Sequence, residues 1–189
     1  MIALLADARS ALIGLARLLA FQEGWRSHFD ISPEGVWRSF GAVALALPAF
    51  VLFVLAANYF VAANAPGSEA GYSPLEAGIS YLRIWAVFPV VAAGVAIALG
   101  LTGRYAAWLV IHNWAVFALL HVTALFFLLY AAGIADAAAL AVLLQFYRLA
   151  RLFVHWRIAC AALQVGPVTG AAAAGIPVLA DMVLIYALS

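Results

Sequence analysis

Gln145-Phe146-Tyr147-Arg148-Leu149-Ala150-Arg151-Leu152-Phe153-Val154-His155 is the stretch that decides how this chain is read. It lies inside a long apolar run, yet it holds two arginines and a histidine. A cation at mid-bilayer costs about 2.5–3.5 kcal/mol on insertion scales, so residues of this kind face a partner or a wet cavity rather than lipid. Arg148, Arg151 and His155 point within about 60° of one another on a helix, with Gln145 adjoining them.

The rest of the composition explains why a membrane is the relevant solvent. The chain of 189 residues is 69% hydrophobic and only 9% charged, whereas a soluble domain carries about 25% charged residues. Its apolar residues fall in runs of about 20 or more, the length a helix needs to cross the hydrocarbon core. Five spans are expected, at about 40–62, 79–101, 105–130, 137–163 and 168–188, forming one transmembrane domain over 40–189. The fold class is therefore all-α, an integral membrane bundle of five transmembrane helices. A net charge of +1 gives no reason to expect nucleic acid as a partner. All 9 basic residues are arginines, and the lone Cys160 permits no internal disulfide and no Cys-based metal motif.

Residues 1–39 form a separate cytoplasmic segment. The first twenty are too charged for a secretory apolar region, with Asp7, Arg9 and Arg17. Met1, Leu5, Ala8, Leu12, Leu15 and Leu19 recur at helical spacing, opposite Asp7, Ser10, Gly14 and Arg17. That pattern predicts an amphipathic helix, either interfacial or packed on the cytoplasmic face of the bundle. Ser32-Pro33-Glu34 supplies a cap and a first-turn proline for the helix leading into span 1. Pro48, Pro89 and Pro177 fall within spans, where they predict kinks rather than breaks.

Orientation follows from the arginines. Arg9, Arg17, Arg26 and Arg38 precede span 1, Arg104 lies in the second loop and Arg157 near the fourth. The first and third loops hold only Glu69, Glu76 and Asp136. The positive-inside rule then places the N-terminus in the cytoplasm and the C-terminus outside, in the periplasm of a bacterial inner membrane. Trp25, Trp37, Trp85, Trp108 and Trp156 lie near span ends and are expected as interfacial anchors.

The turn at Gly166-Pro167 makes spans 4 and 5 a hairpin. Were the arginines in the cytoplasmic headgroups, span 5 would start too high to cross, unless it were a half-length re-entrant helix. Arg151 is fifteen residues before Gly166 and Asp181 fifteen after it, so equal rise brings both to one depth. Asp181 is the one acidic residue well inside a span, and it is expected to pair with Arg151, or with Arg148 one turn away. One aspartate cannot neutralise two arginines. The remaining cation is left to snorkel, to meet backbone carbonyls, or to take an anion such as a lipid phosphate.

His112, Asn113 and His121 complete the polar core of the spans. His112 and His121 are nine apart, on opposite faces of one helix, so they do not share a metal. Either one facing His155 across the bundle would give a b-type haem site. Arg83 is expected to snorkel toward the outer leaflet. No Ser/His/Asp set, HExxH, Gly-rich phosphate loop or carboxylate pair occurs, so neither catalysis nor a metal or cofactor site is expected. Small residues at Ala137–Ala139, Gly170–Ala174 and Gly175 permit close helix approach.

The run Phe29-Asp30-Ile31-Ser32-Pro33-Glu34-Gly35-Val36-Trp37-Arg38-Ser39-Phe40, leading into a proline-containing span, and the closing pattern from Tyr147 to Leu188 resemble bacterial relatives of the five-span Yip family. They also resemble uncharacterised alphaproteobacterial inner-membrane proteins. The resemblance implies a five-span fold and carries no catalytic residues. The expected function is non-enzymatic, by contact with membrane lipids or as an accessory or scaffold subunit beside another membrane protein. The alternative is a small transporter or channel module using Arg148, Arg151, His155 and Asp181; a haem-bearing redox subunit is third.

Overall fold

A computed structural model describes residues 2–68 and 70–188. Met1, Glu69 and Ser189 lie outside it, and with them Met1's place in the apolar stripe and Glu69's in the first loop. The described residues are helical, with no strand. Helix α1 spans Ile2–Leu19, α2 Pro33–Ser39, α3 Gly41–Asn64, α4 Pro74–Ala98, α5 Tyr105–Ala131, α6 Ala137–Leu163 and α7 Pro167–Leu188. Five segments, α2 with α3 and each of α4 to α7, are long and apolar enough to cross a membrane. The chain is a multi-pass membrane protein.

Helix boundaries follow local chemistry. Ser32 caps α2, accepting from the Gly35 amide at 3.1 Å, with Pro33 in the first turn. Helix α4 begins at Pro74, five residues before the expected start of span 2. Ser73 and Glu76 there form a reciprocal capping box, at 3.2 and 2.8 Å. Asp136, read from the sequence as a loop acid, caps α6 by accepting from the Ala139 amide at 2.7 Å. Arg104 donates to the carbonyls of Leu163 and of Gln164, the latter at 3.2 Å, closing the last turn of α6. The helices run through Pro48, Pro89 and Pro177 without ending.

Helix α5 is the axis of the bundle. Every residue from Ala107 to Val116 is buried, and α1, α2, α3, α4 and α6 all pack on this helix. This removes Trp108, at 1% exposure, from the interfacial role expected for it; Trp85 is likewise buried. Trp37, at 77%, stays outside. Helices α4, α5, α6 and α7 form a ring in which α7 bridges α6 and α4. Gly170 permits the α6–α7 approach, since a side chain there would meet Cys160.

Helix α1 packs on α5 and α6, and the residues it buries differ from the expected stripe. Ala8, Ala11, Leu15 and Leu18 face inward, whereas Leu5, Leu12 and Ile13 are exposed. The small alanines let α1 come close, and Gly14 lets Phe29 and His28 cross over it: a β-carbon there would lie 2.6 Å from the Phe29 ring. Arg157 donates to the Leu18 carbonyl at 3.1 Å, and Arg38 gathers Asp7, Asp30 and Glu34 at 3.1, 2.9 and 3.4 Å. The helix is amphipathic as expected, with Leu5 and Leu12 exposed at the edge of the same apolar face that is buried at Ala8, Ala11, Leu15 and Leu18.

Candidate functional site

Three charged side chains from three helices meet inside the ring. Asp181 on α7 is bound by Arg83 of α4 through one oxygen, and its other oxygen lies 3.8 Å from Arg151 of α6. Arg151 is fourteen residues after Ala137 and twelve before Leu163, about 21 and 18 Å from the two ends of α6. The cluster therefore sits near the middle of the membrane-spanning length. Arg83 and Asp181 side chains are 15% and 16% exposed; Arg151 is 44% exposed.

Two sequence expectations change here. Arg83 does not snorkel outward but turns inward as the principal partner of Asp181. Arg148 does not reach Asp181; its side chain is exposed on the outside of α6, donating to Gln145 at 3.3 Å. The inward row on α6 is Tyr147, Arg151 and His155, spaced four apart, so Arg148 and Gln145 fall beyond its edge.

The row faces a cavity of about 240 Å³ between α4, α5, α6 and α7, with Phe50 and Phe53 of α3 at its side. The walls are mostly aliphatic and aromatic. Polar groups other than the triad enter as Tyr72, Ser80, Thr123 and Tyr147 on one side of Arg151, and as His155, His112 and Trp108 on the other. Arg83 and Arg151 contribute two positive charges and Asp181 one negative. With neutral imidazoles, the cavity carries +1.

The inner end is an aromatic ladder. The Phe88 and His112 rings are parallel, with centroids 3.3 Å apart, and His112 stacks on His155 at 5.1 Å and 29°. His112 and His155 are 6% and 8% exposed, and His112 Nδ1 has no hydrogen-bond partner. Axial ligands of a haem aim their nitrogens at one iron from opposite sides of the macrocycle. Rings stacked face to face present no such pair, so these histidines do not fit a b-type haem. His121 faces outward from α5, its Nδ1 2.8 Å from the Phe117 carbonyl. Asn113 is buried elsewhere, donating to Ser39 at 2.9 Å and tying α2 to α5.

No protein-family model, curated protein or solved structure matches this chain. What the cavity does is therefore argued from its own chemistry.

Proposed function

We propose that this chain is a non-enzymatic multi-pass protein of the bacterial cytoplasmic membrane that holds a small monoanion within its helical bundle, as a binding or transport module. The observation that carries this reading is the imbalance of the triad: two guanidiniums against one carboxylate, facing a cavity near mid-membrane. An unbalanced cation in a low-dielectric site is costly, and a bound anion removes the cost. A non-enzymatic role is supported by the state of Asp181. Its carboxylate is bound by Arg83, with Arg151 3.8 Å from its other oxygen, and is not poised as a base. A cytoplasmic N-terminus is supported by the gathering of Arg17, Arg26, Arg38, Arg104 and Arg157 outside the apolar spans or at their cytoplasmic ends. Kinship with the Yip family is proposed on the run from Phe29 to Phe40, the closing pattern from Tyr147 to Leu188 and the five-span layout.

Formate tests the reading. Sodium formate is expected to raise the thermal midpoint of the purified protein above that in equal sodium gluconate. Arg151→Gln should abolish the difference. Equal responses in both proteins refute an anion site at Arg151.

A second reading, the accessory subunit, is favoured by Arg148. This arginine lies eleven residues into α6 on an outer face shared with Phe146, Leu149 and Leu152. A charge on that surface is better accommodated against a carboxylate of a neighbouring membrane protein than against lipid. A complex that survives mild detergent with the wild type and dissociates with Arg148→Leu supports it. Unchanged association counts against it.

A further inference from the structure

We propose that the cavity takes a small apolar monocarboxylate, its carboxylate on Arg151 and its hydrocarbon body along the α5 wall toward His112. The inference rests on the anion reading above and names the class of anion.

Arg151 is the cation with unspent donors. Arg83 is committed to Asp181, whereas the nearest carboxylate oxygen to Arg151 is 3.8 Å away, beyond charge-assisted hydrogen-bond length. A guanidinium has five N–H donors in a planar fork that matches a carboxylate. Nothing else among the described residues accepts from it. Arg151 is also the most exposed member of the triad, so its free edge is the one that meets a ligand.

Charge and size narrow the class. The triad leaves one positive charge, which one carboxylate balances. A phosphate monoester carries about −1.5 to −2 and would leave negative charge in the site. A volume of about 240 Å³ equals about eight waters at ~30 Å³ each, more than a halide or formate occupies. The wall on the His112 side is made by Val87, Phe88, Trp108, Val116 and Val178, surface that rewards a hydrocarbon and not a hydrated ion. His112 Nδ1, buried and without a partner, stands at the far end of the same cavity. His112 stacks on His155, itself one helical turn from Arg151, so the interval between the two ends is short. A carboxylate on Arg151 whose hydrocarbon body lies against this apolar wall fills the cavity.

The single-anion headgroup could also belong to a phosphodiester lipid that inserts only its head, and the experiment separates the two. Binding of octanoate to the purified full-length chain in detergent is measured by equilibrium dialysis and by thermal midpoint. Acetate, 1-octanol and dihexanoyl phosphatidylglycerol are run in parallel. Octanoate is expected to bind at least tenfold more tightly than acetate, and 1-octanol not to protect. Arg151→Gln should weaken octanoate at least tenfold. Val116→Trp, which fills the α5 wall and leaves the three charged residues in place, should weaken octanoate more than acetate. If acetate or formate matches octanoate, or the phosphatidylglycerol displaces it, the apolar-carboxylate class is overturned while the anion site stands. If no anion binds in an Arg151-dependent way, both fall.

Discussion

Replacing Asp181 by alanine tests the electrostatic centre most directly. It leaves Arg83 and Arg151 facing each other with no counter-ion, in a site where Arg83 and Asp181 are about 15% exposed. Removing one partner of a buried ion pair costs about 3–5 kcal/mol, because the orphaned charge keeps its desolvation penalty. At about 2–4 °C per kcal/mol for a chain of this size, the thermal midpoint should fall by about 6–20 °C. The assay is thermal unfolding of the purified protein in detergent, followed by tryptophan fluorescence. The two arginines are not equivalent. Arg83→Leu strips Asp181 of its hydrogen-bonded partner and should lower the midpoint comparably. Arg151→Leu removes the uncompensated cation while the Arg83–Asp181 pair stays, so the midpoint should hold or rise. The double change Arg83→Leu with Asp181→Leu should recover most of the loss. An Asp181→Ala protein that melts within 2 °C of wild type, or an Arg151→Leu protein that melts far below it, would refute the assignment of charge in this site.

Other outcomes follow from the same geometry. Gly14→Leu should undock α1, because the space is taken by Phe29 and His28; faster trypsin cleavage at Arg17 and Arg26 with an intact bundle is the expected readout. Asn113→Ala removes the α5 hydrogen bond to the buried Ser39 hydroxyl, which keeps its bond to the Val36 carbonyl, and should cost about 0.5–1.5 kcal/mol, read as a lower melting midpoint. The Ser32 amide, and after it Arg38, hold the Asp30 carboxyl below its usual 3.8. The folded state therefore prefers Asp30 charged. Its contribution is present above the ordinary carboxylate range and is lost as pH falls below it. Acid titration of N-terminal docking should show this loss in wild type and a shallower one in Asp30→Asn.

The five spans were legible because each is a long apolar run closed by turn or capping residues, and α6 begins and ends at the residues the sequence indicated. The approach of Asp181 to Arg151 was also within reach, since counting outward from one tight turn fixes the relative depth of two adjacent helices. Arg83 was not within reach. It lies on a helix with no short connection to α7, so no register links it to a carboxylate 98 residues away. Arg148 was misplaced because it lies about 20° beyond His155, just past the inward strip, and a shared arc of about 60° does not say which of its edges faces outward. Trp85 and Trp108 were misread because proximity to a span end says nothing about which side of a helix is covered. The covering of α5 by α1 and α2 has no periodic signature, as α5 is apolar all the way round.

The order in which the triad's members emerge has a consequence for assembly. Both guanidiniums are synthesised first, and the carboxylate that steadies them arrives on α7. Until that helix enters, the nascent bundle harbours two cations with no counter-charge, in a ring that still lacks the strut between α6 and α4. Insertion of α7 therefore does three things at once: it discharges the interior, closes the ring and creates the cavity. Biogenesis of this protein should behave as a late, single-step commitment, with arrested intermediates presenting the signature by which membrane quality control recognises unfinished chains.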